Sequence, residues 1–181
     1  MPNLRRAIAG VGAALTLMTA AILSHNHFFL NLVHVFAGLL WTGTDIFMGF
    51  ILGPILRRLD LGVRRAVTER LVPRLLFYMP TVATVTTTAG WFLALDLGVA
   101  SPSYPGRIYF IAALAITSVL FVQGFGILLP TNLRVFFEMR KEAPDGAKIQ
   151  RLMARYVRVV AVQGAMQVVI IAIMARFVAG P

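Results

Sequence analysis

Residues 28–56 read FFLNLVHVFAGLLWTGTDIFMGFILGPIL, an apolar run whose one charged side chain is Asp45. About 20 such residues cross the ~30 Å of hydrocarbon in a bilayer, so this run is long enough to span with residues to spare. Lipid offers the backbone no hydrogen-bond partners, and a segment that cannot close a barrel must therefore be helical. Four further apolar runs lie at 7–23, 73–99, 108–132 and 159–178. Together they predict an all-α integral membrane protein with five transmembrane helices, a four-helix core plus an N-terminal helix, in one domain spanning residues 1–181.

Composition agrees. Of 181 residues, 59% are hydrophobic and 13% charged, with mean hydropathy +0.81. A soluble domain has roughly 45–50% and 25%. The net charge of +10 comes from an uneven distribution of basic residues. Fifteen of the seventeen Lys and Arg flank one side of the runs: Arg5 and Arg6, then Arg57 to Arg74, then Arg134 to Arg158. Only Arg107 and Arg176 fall on the other side. The positive-inside rule then puts the N-terminus and the loops 57–72 and 133–158 in the cytoplasm and the C-terminus outside, as in a bacterial inner (plasma) membrane. It also explains the basic pI without nucleic acid, and leaves the lipid bilayer, a second copy or a membrane complex as partners. Residues 61–71 and 149–157 mix Arg with Leu, Val and Ile, which suits either helices on the membrane surface or extensions of the spans. Residues 1–21 also read as a charged segment, an apolar core and a small-residue Thr19-Ala20-Ala21 site, the pattern of a cleavable signal peptide.

The chain has no cysteine, which excludes disulfides and thiolate chemistry. It has no nucleotide-binding glycine pattern and no hydrolase triad. All three histidines, His25, His27 and His34, lie at the outer end of the second run. On a helix, His27, Asn31, His34, Gly38, Trp41, Thr42, Asp45 and Gly49 share about a third of the circumference. Such a face either packs helices together or carries chemistry.

His34 is the candidate metal or haem ligand, since a neutral imidazole is a common donor to copper and to haem iron. His27, about 10 Å above it on the same face, is a candidate metal entry site. Asp45, near the midplane, must be protonated, paired or in contact with water, because an ionised carboxylate there costs about 2.5–3.5 kcal/mol. Asp96, at the outer end of the third run, is placed to orient His34 by pairing with it. Gln123, Gln163 and Gln167 are intramembrane amides able to orient a ligand. Thr81, Thr84, Thr88 and Trp91 follow a helical spacing behind Pro80, which predicts a kink with hydroxyls nearby. Met79, Met166 and Met174 are soft donors or apolar filler. Gly49-x-x-x-Gly53 is a weak close-packing signal.

The stretch His34-Val-Phe-Ala-Gly-Leu-Leu-Trp41-Thr-Gly43, with Arg74, Thr88-Ala-Gly90, Leu129-Pro130-Thr-Asn132 and a final span ending Ile171-Ala-Ile-Met174, resembles the copper-resistance D family. It also looks like the HemJ-type protoporphyrinogen oxidases and the membrane domain of the PuuD-type urate oxidases. The likeness covers roughly residues 28–178. It implies copper handling or b-type haem held through the helix histidine, here His34. A copper-binding membrane protein comes first, because copper needs no second histidine; a haem b redox protein acting on quinone or porphyrin and an accessory subunit without chemistry are the alternatives these readings leave open.

Overall fold

The computed structural model describes residues 2–179, apart from the side chains of residues 2, 3, 61 and 177–179. Helix makes up 88% of the chain, and no strand occurs among the described residues. In chain order the elements are α1 (Pro2–Leu23), α2 (His27–Ile46), a wide π-type turn (Phe47–Leu52), α3 (Gly53–Arg58), α4 (Leu61–Asp96), α5 (Arg107–Gln123), a second π-type turn (Gly124–Leu128), α6 (Leu129–Met139) and α7 (Gly146–Ala179). Four helical segments are long and apolar enough to cross a membrane: Leu4–Leu23, His27–Arg58, Arg107–Met139 and Gly146–Arg176. The chain is an all-helical multi-pass membrane protein.

The fifth long helix, α4, is diluted by its arginines, threonines and prolines and falls outside that set.

Both π-type turns have one local cause. Pro54 and Pro130 lack an N–H and clash with the carbonyl four residues back, so an ideal α-helix cannot pass through them. The ladder widens just ahead of each proline: Gly53 donates to Met48 O and Leu129 to Gly124 O, five residues back in both cases. A long rod continues instead of breaking. In α4, Pro73 and Pro80 sit inside the helix, and Thr81, Thr86 and Thr87 donate their hydroxyls to the carbonyls four residues back.

The expected loops are mostly helix. Residues 57–72 reduce to a two-residue joint, Leu59 and Asp60, because α4 begins at Leu61. Arg64 closes this joint by donating to the carbonyl oxygens of Leu56, Arg57 and Leu59, the open end of α3. Residues 133–158 likewise shrink to 140–145. Glu138, buried at the end of α6, accepts from Lys141 and Lys148, and Asp145 caps the first turn of α7. The stretches 61–71 and 149–157 are extensions of α4 and α7, not separate surface helices.

At the end opposite the arginine-rich one, Asn26 caps α2 by accepting from Phe29 N at 3.0 Å. Gly98 turns the chain after α4 with φ +68°, a conformation open to glycine.

Spans that follow one another in the chain pack antiparallel, while α1 and α4 run parallel. α2 lies against α4 and α7, α5 against α7, and α6 against α4 and α7. The core toward the arginine-rich end is Met48, Val72, Leu75, Leu128, Val135, Met153, Tyr156, Val157 and Val160. α1 stands outside this group, on α2 and α4, where Ala21 meets Leu30, Val33, Val85 and Ala89. The exposed Phe and Leu residues of α2 and the Val and Ile residues of α7 form the face that lipid covers.

Candidate functional site

The expected polar face of α2 turns inward along its length. His27 and Asn31 are exposed, His34, Gly38 and Thr44 half-buried, and Trp41, Thr42, Asp45 and Gly49 buried. What lies opposite each residue decides its role.

His34 faces α4. Its Nδ1 is 2.9 Å from the Thr86 carbonyl oxygen, and a carbonyl can only accept, so Nδ1 carries the hydrogen. The neutral ring then has its lone pair on Nε2, which makes no hydrogen bond among the described residues. Gly90 makes room for the ring: a Cβ there would stand 2.5 Å from His34 Cε1 and 2.7 Å from Nδ1. Asp96 does not provide the expected partner. It is exposed at the end of α4, ten residues and so about 15 Å beyond Thr86. His27 is exposed in the first turn of α2 and does not join His34. Among the described residues, no three His, Asp or Glu side chains converge.

The second constellation is wholly internal. Asp45 is 0% exposed, and its Oδ2 accepts from Gln163 Nε2 at 2.7 Å. Trp41 and Gln167 also turn toward the carboxyl, without completing a bond to it. The approach of α7 depends on glycine. A Cβ at Gly49 would stand 2.8 Å from Ala161 Cα, one at Gly53 2.4 Å from Val157 Cγ1, and one at Gly164 3.3 Å from Ile46 Cγ1. The weak spacing signal of Gly49 and Gly53 is therefore a backbone-level seam between α2 and α7.

Beside it lies a cavity of about 30 Å³, lined by Trp41, Met79, Phe125, Asn132, Tyr156 and Gln163 among others. That is room for one or two waters, each of which needs about 10–15 Å³. The Tyr156 hydroxyl lies beside the Asn132 amide. Gln123 reaches Met166 Sδ at 4.0 Å through its Nε2. Met166 is thereby a partner of Gln123 and packs near Trp41.

Six buried atoms have no partner among the described residues: Asp45 Oδ1, Gln123 Oε1, Asn132 Oδ1, Gln163 Oε1 and both amide atoms of Gln167. Buried polar atoms are nearly always satisfied, so these six call for partners beyond the described side chains, such as water. Asp45, Gln123, Gln163 and Gln167 were legible in the sequence as intramembrane polar residues. Asn132, Tyr156 and Gly164 were not singled out for this role; Asn132 next to Pro130 at a helix break was the available signal. Comparison of the chain with protein-family models, curated proteins and solved structures finds no match.

Proposed function

We propose that this chain is a five-span inner-membrane protein, N-terminus in the cytoplasm, that binds a metal-centred group through Nε2 of His34. The observation carrying this reading is the single hydrogen bond from His34 Nδ1 to the Thr86 carbonyl, which holds the ring and leaves Nε2 as a ready donor. A second-shell bond of this kind is what fixes the tautomer of a ligating histidine.

The donor set suits haem better than copper. Haem iron accepts one axial imidazole and takes its other donors from the porphyrin. Copper sites draw several donors from the protein, and His34 here offers one. A bound haem b would supply one-electron redox chemistry, while the protein's part is to hold His34 Nε2 and shield it among α2 and α4. Copper handling, with His27 as an outer entry residue, is the alternative, and it requires a further donor from a second copy or from the cargo carrier.

The test is an absorption spectrum and elemental analysis of the detergent-purified protein, expressed with haem and copper both supplied. A Soret band lost in His34→Ala supports haem, and stoichiometric copper lost in the same variant supports copper. A preparation with neither refutes the reading. Orientation is checked in the same material: because the chain has no cysteine, Ser103→Cys should label from outside intact cells and Glu142→Cys only after permeabilisation.

A further inference from the structure

Of the six unpartnered atoms, four belong to Asp45 and the two glutamines that face it: Asp45 Oδ1, Gln163 Oε1 and both amide atoms of Gln167. The orientation of Gln163 is constrained: turning its amide over would set the amide oxygen against Asp45 Oδ2, oxygen to oxygen at 2.7 Å. This buried centre therefore holds three unpartnered oxygens, of Asp45, Gln163 and Gln167, with no positive charge beside them, and the Gln167 amide is free to turn either end toward a guest. Gln163 and Asn132 border the small cavity, and Gln163 and Gln167 sit one turn apart on α7 facing Asp45. A hard, small cation takes oxygen ligands of this kind. The widened turn after Asp45 and the one after Gln123 put irregular helix beside the site, as at midplane ion sites of transporters.

We propose that Asp45, Gln163 and Gln167 form a binding site for a small monovalent cation, either a sodium ion or a proton. The site is independent of whatever His34 binds. In the sodium case the carboxylate supplies the charge and the amide oxygens complete the shell. In the proton case the Asp45 carboxyl itself carries the proton, beside the Gln163 and Gln167 amides.

The groups facing Asp45 from its neighbours are few. On α7 they are the Gln163 and Gln167 amides and the Tyr156 phenol. On α4 the nearest titratable group is Tyr78, whose hydroxyl lies 3.2 Å from Thr44 Oγ1 and 3.3 Å from the Leu40 carbonyl. α1 carries only Arg5 and Arg6, at its far end, and on α2 itself the nearest is His34. The arginines of α4 and α7 gather at the arginine-rich end, and Asp96 and Arg176 at the opposite one.

The experiment is thermal unfolding of the full chain in detergent, in sodium chloride against choline chloride at equal ionic strength. It is paired with infrared spectroscopy of the carboxyl groups between about pH 5 and pH 9. A sodium site raises Tm by roughly 5–10 °C at a hundredfold excess over Kd, and the rise is lost in Asp45→Asn and in Gln167→Met. A proton site gives no sodium effect, but a buried carboxyl band that titrates, vanishes in Asp45→Asn and shifts in Gln167→Met. Gln167 donates to nothing, so its variant folds even where Asp45→Asn does not. No sodium effect together with a pH-invariant carboxyl band overturns the proposal. So does a sodium effect that both variants retain.

Discussion

The two ends of the bundle are built differently. Toward the arginine-rich end, the continuation of α2 meets α7 at the Ala161 backbone opposite Gly49 and at the Val157 side chain opposite Gly53, and eleven buried residues fill the space between α4, α6 and α7. Toward the other end α1 touches α2 and α4 along one side, with Ala21 its one buried residue among those described, and Ile171, Ala172, Ala175 and Arg176 of α7 are exposed. His34 against Gly90 is the one close fit found there. Asp45 sits at the boundary, below the loosely joined half and above the glycine seam. A group that must take up and release something belongs at such a boundary, where one side is rigid and the other yields.

The comparison breaks most readily at the seam. Gly49→Val should destabilise the protein by about 3 kcal/mol, because its Cβ meets the Ala161 backbone, which cannot step aside as a side chain does. A wild-type melting curve for that variant would mean that the seam is not tight.

Gly90→Ala probes the other half and should cost about 1–2 kcal/mol, displacing the His34 ring from the Thr86 carbonyl. Any absorbance due to a His34-bound group should disappear with it. Near-native stability and spectrum would show the outer fit to be slack. Gln167→Met should have the opposite sign, stabilising the cation-free protein by about 1 kcal/mol in thermal melts, since it removes a buried amide with no partner. Gly12→Leu should stabilise the protein by about 0.5–1 kcal/mol through helix propensity alone, as a Cβ at Gly12 meets nothing within 4 Å. A larger effect there would mean that another chain covers α1.

Much of this architecture is readable without coordinates. Apolar run lengths place the helices, because burying backbone in lipid permits little else. The prolines did not give away the two widened turns, since Pro54 and Pro130 have them while Pro73 and Pro80 sit inside continuous α4. The loops were the poorest guide: Arg64 and Glu138 look like solvated charges until carbonyls and lysines are brought to them.

By itself the sequence determined that the chain is helical and apolar enough to span a membrane, that its basic residues gather in a few connecting segments, and that His34 and Asp45 are out of place among apolar neighbours. These are properties of single segments against a solvent. Only the tertiary structure decided what each of them faces. It gave His34 the Thr86 carbonyl in place of Asp96, and it gathered Asp45, Gln163 and Gln167 from helices more than a hundred residues apart. Such pairings depend on helix rotation and on close approach at glycines, which residue order along one helix does not encode.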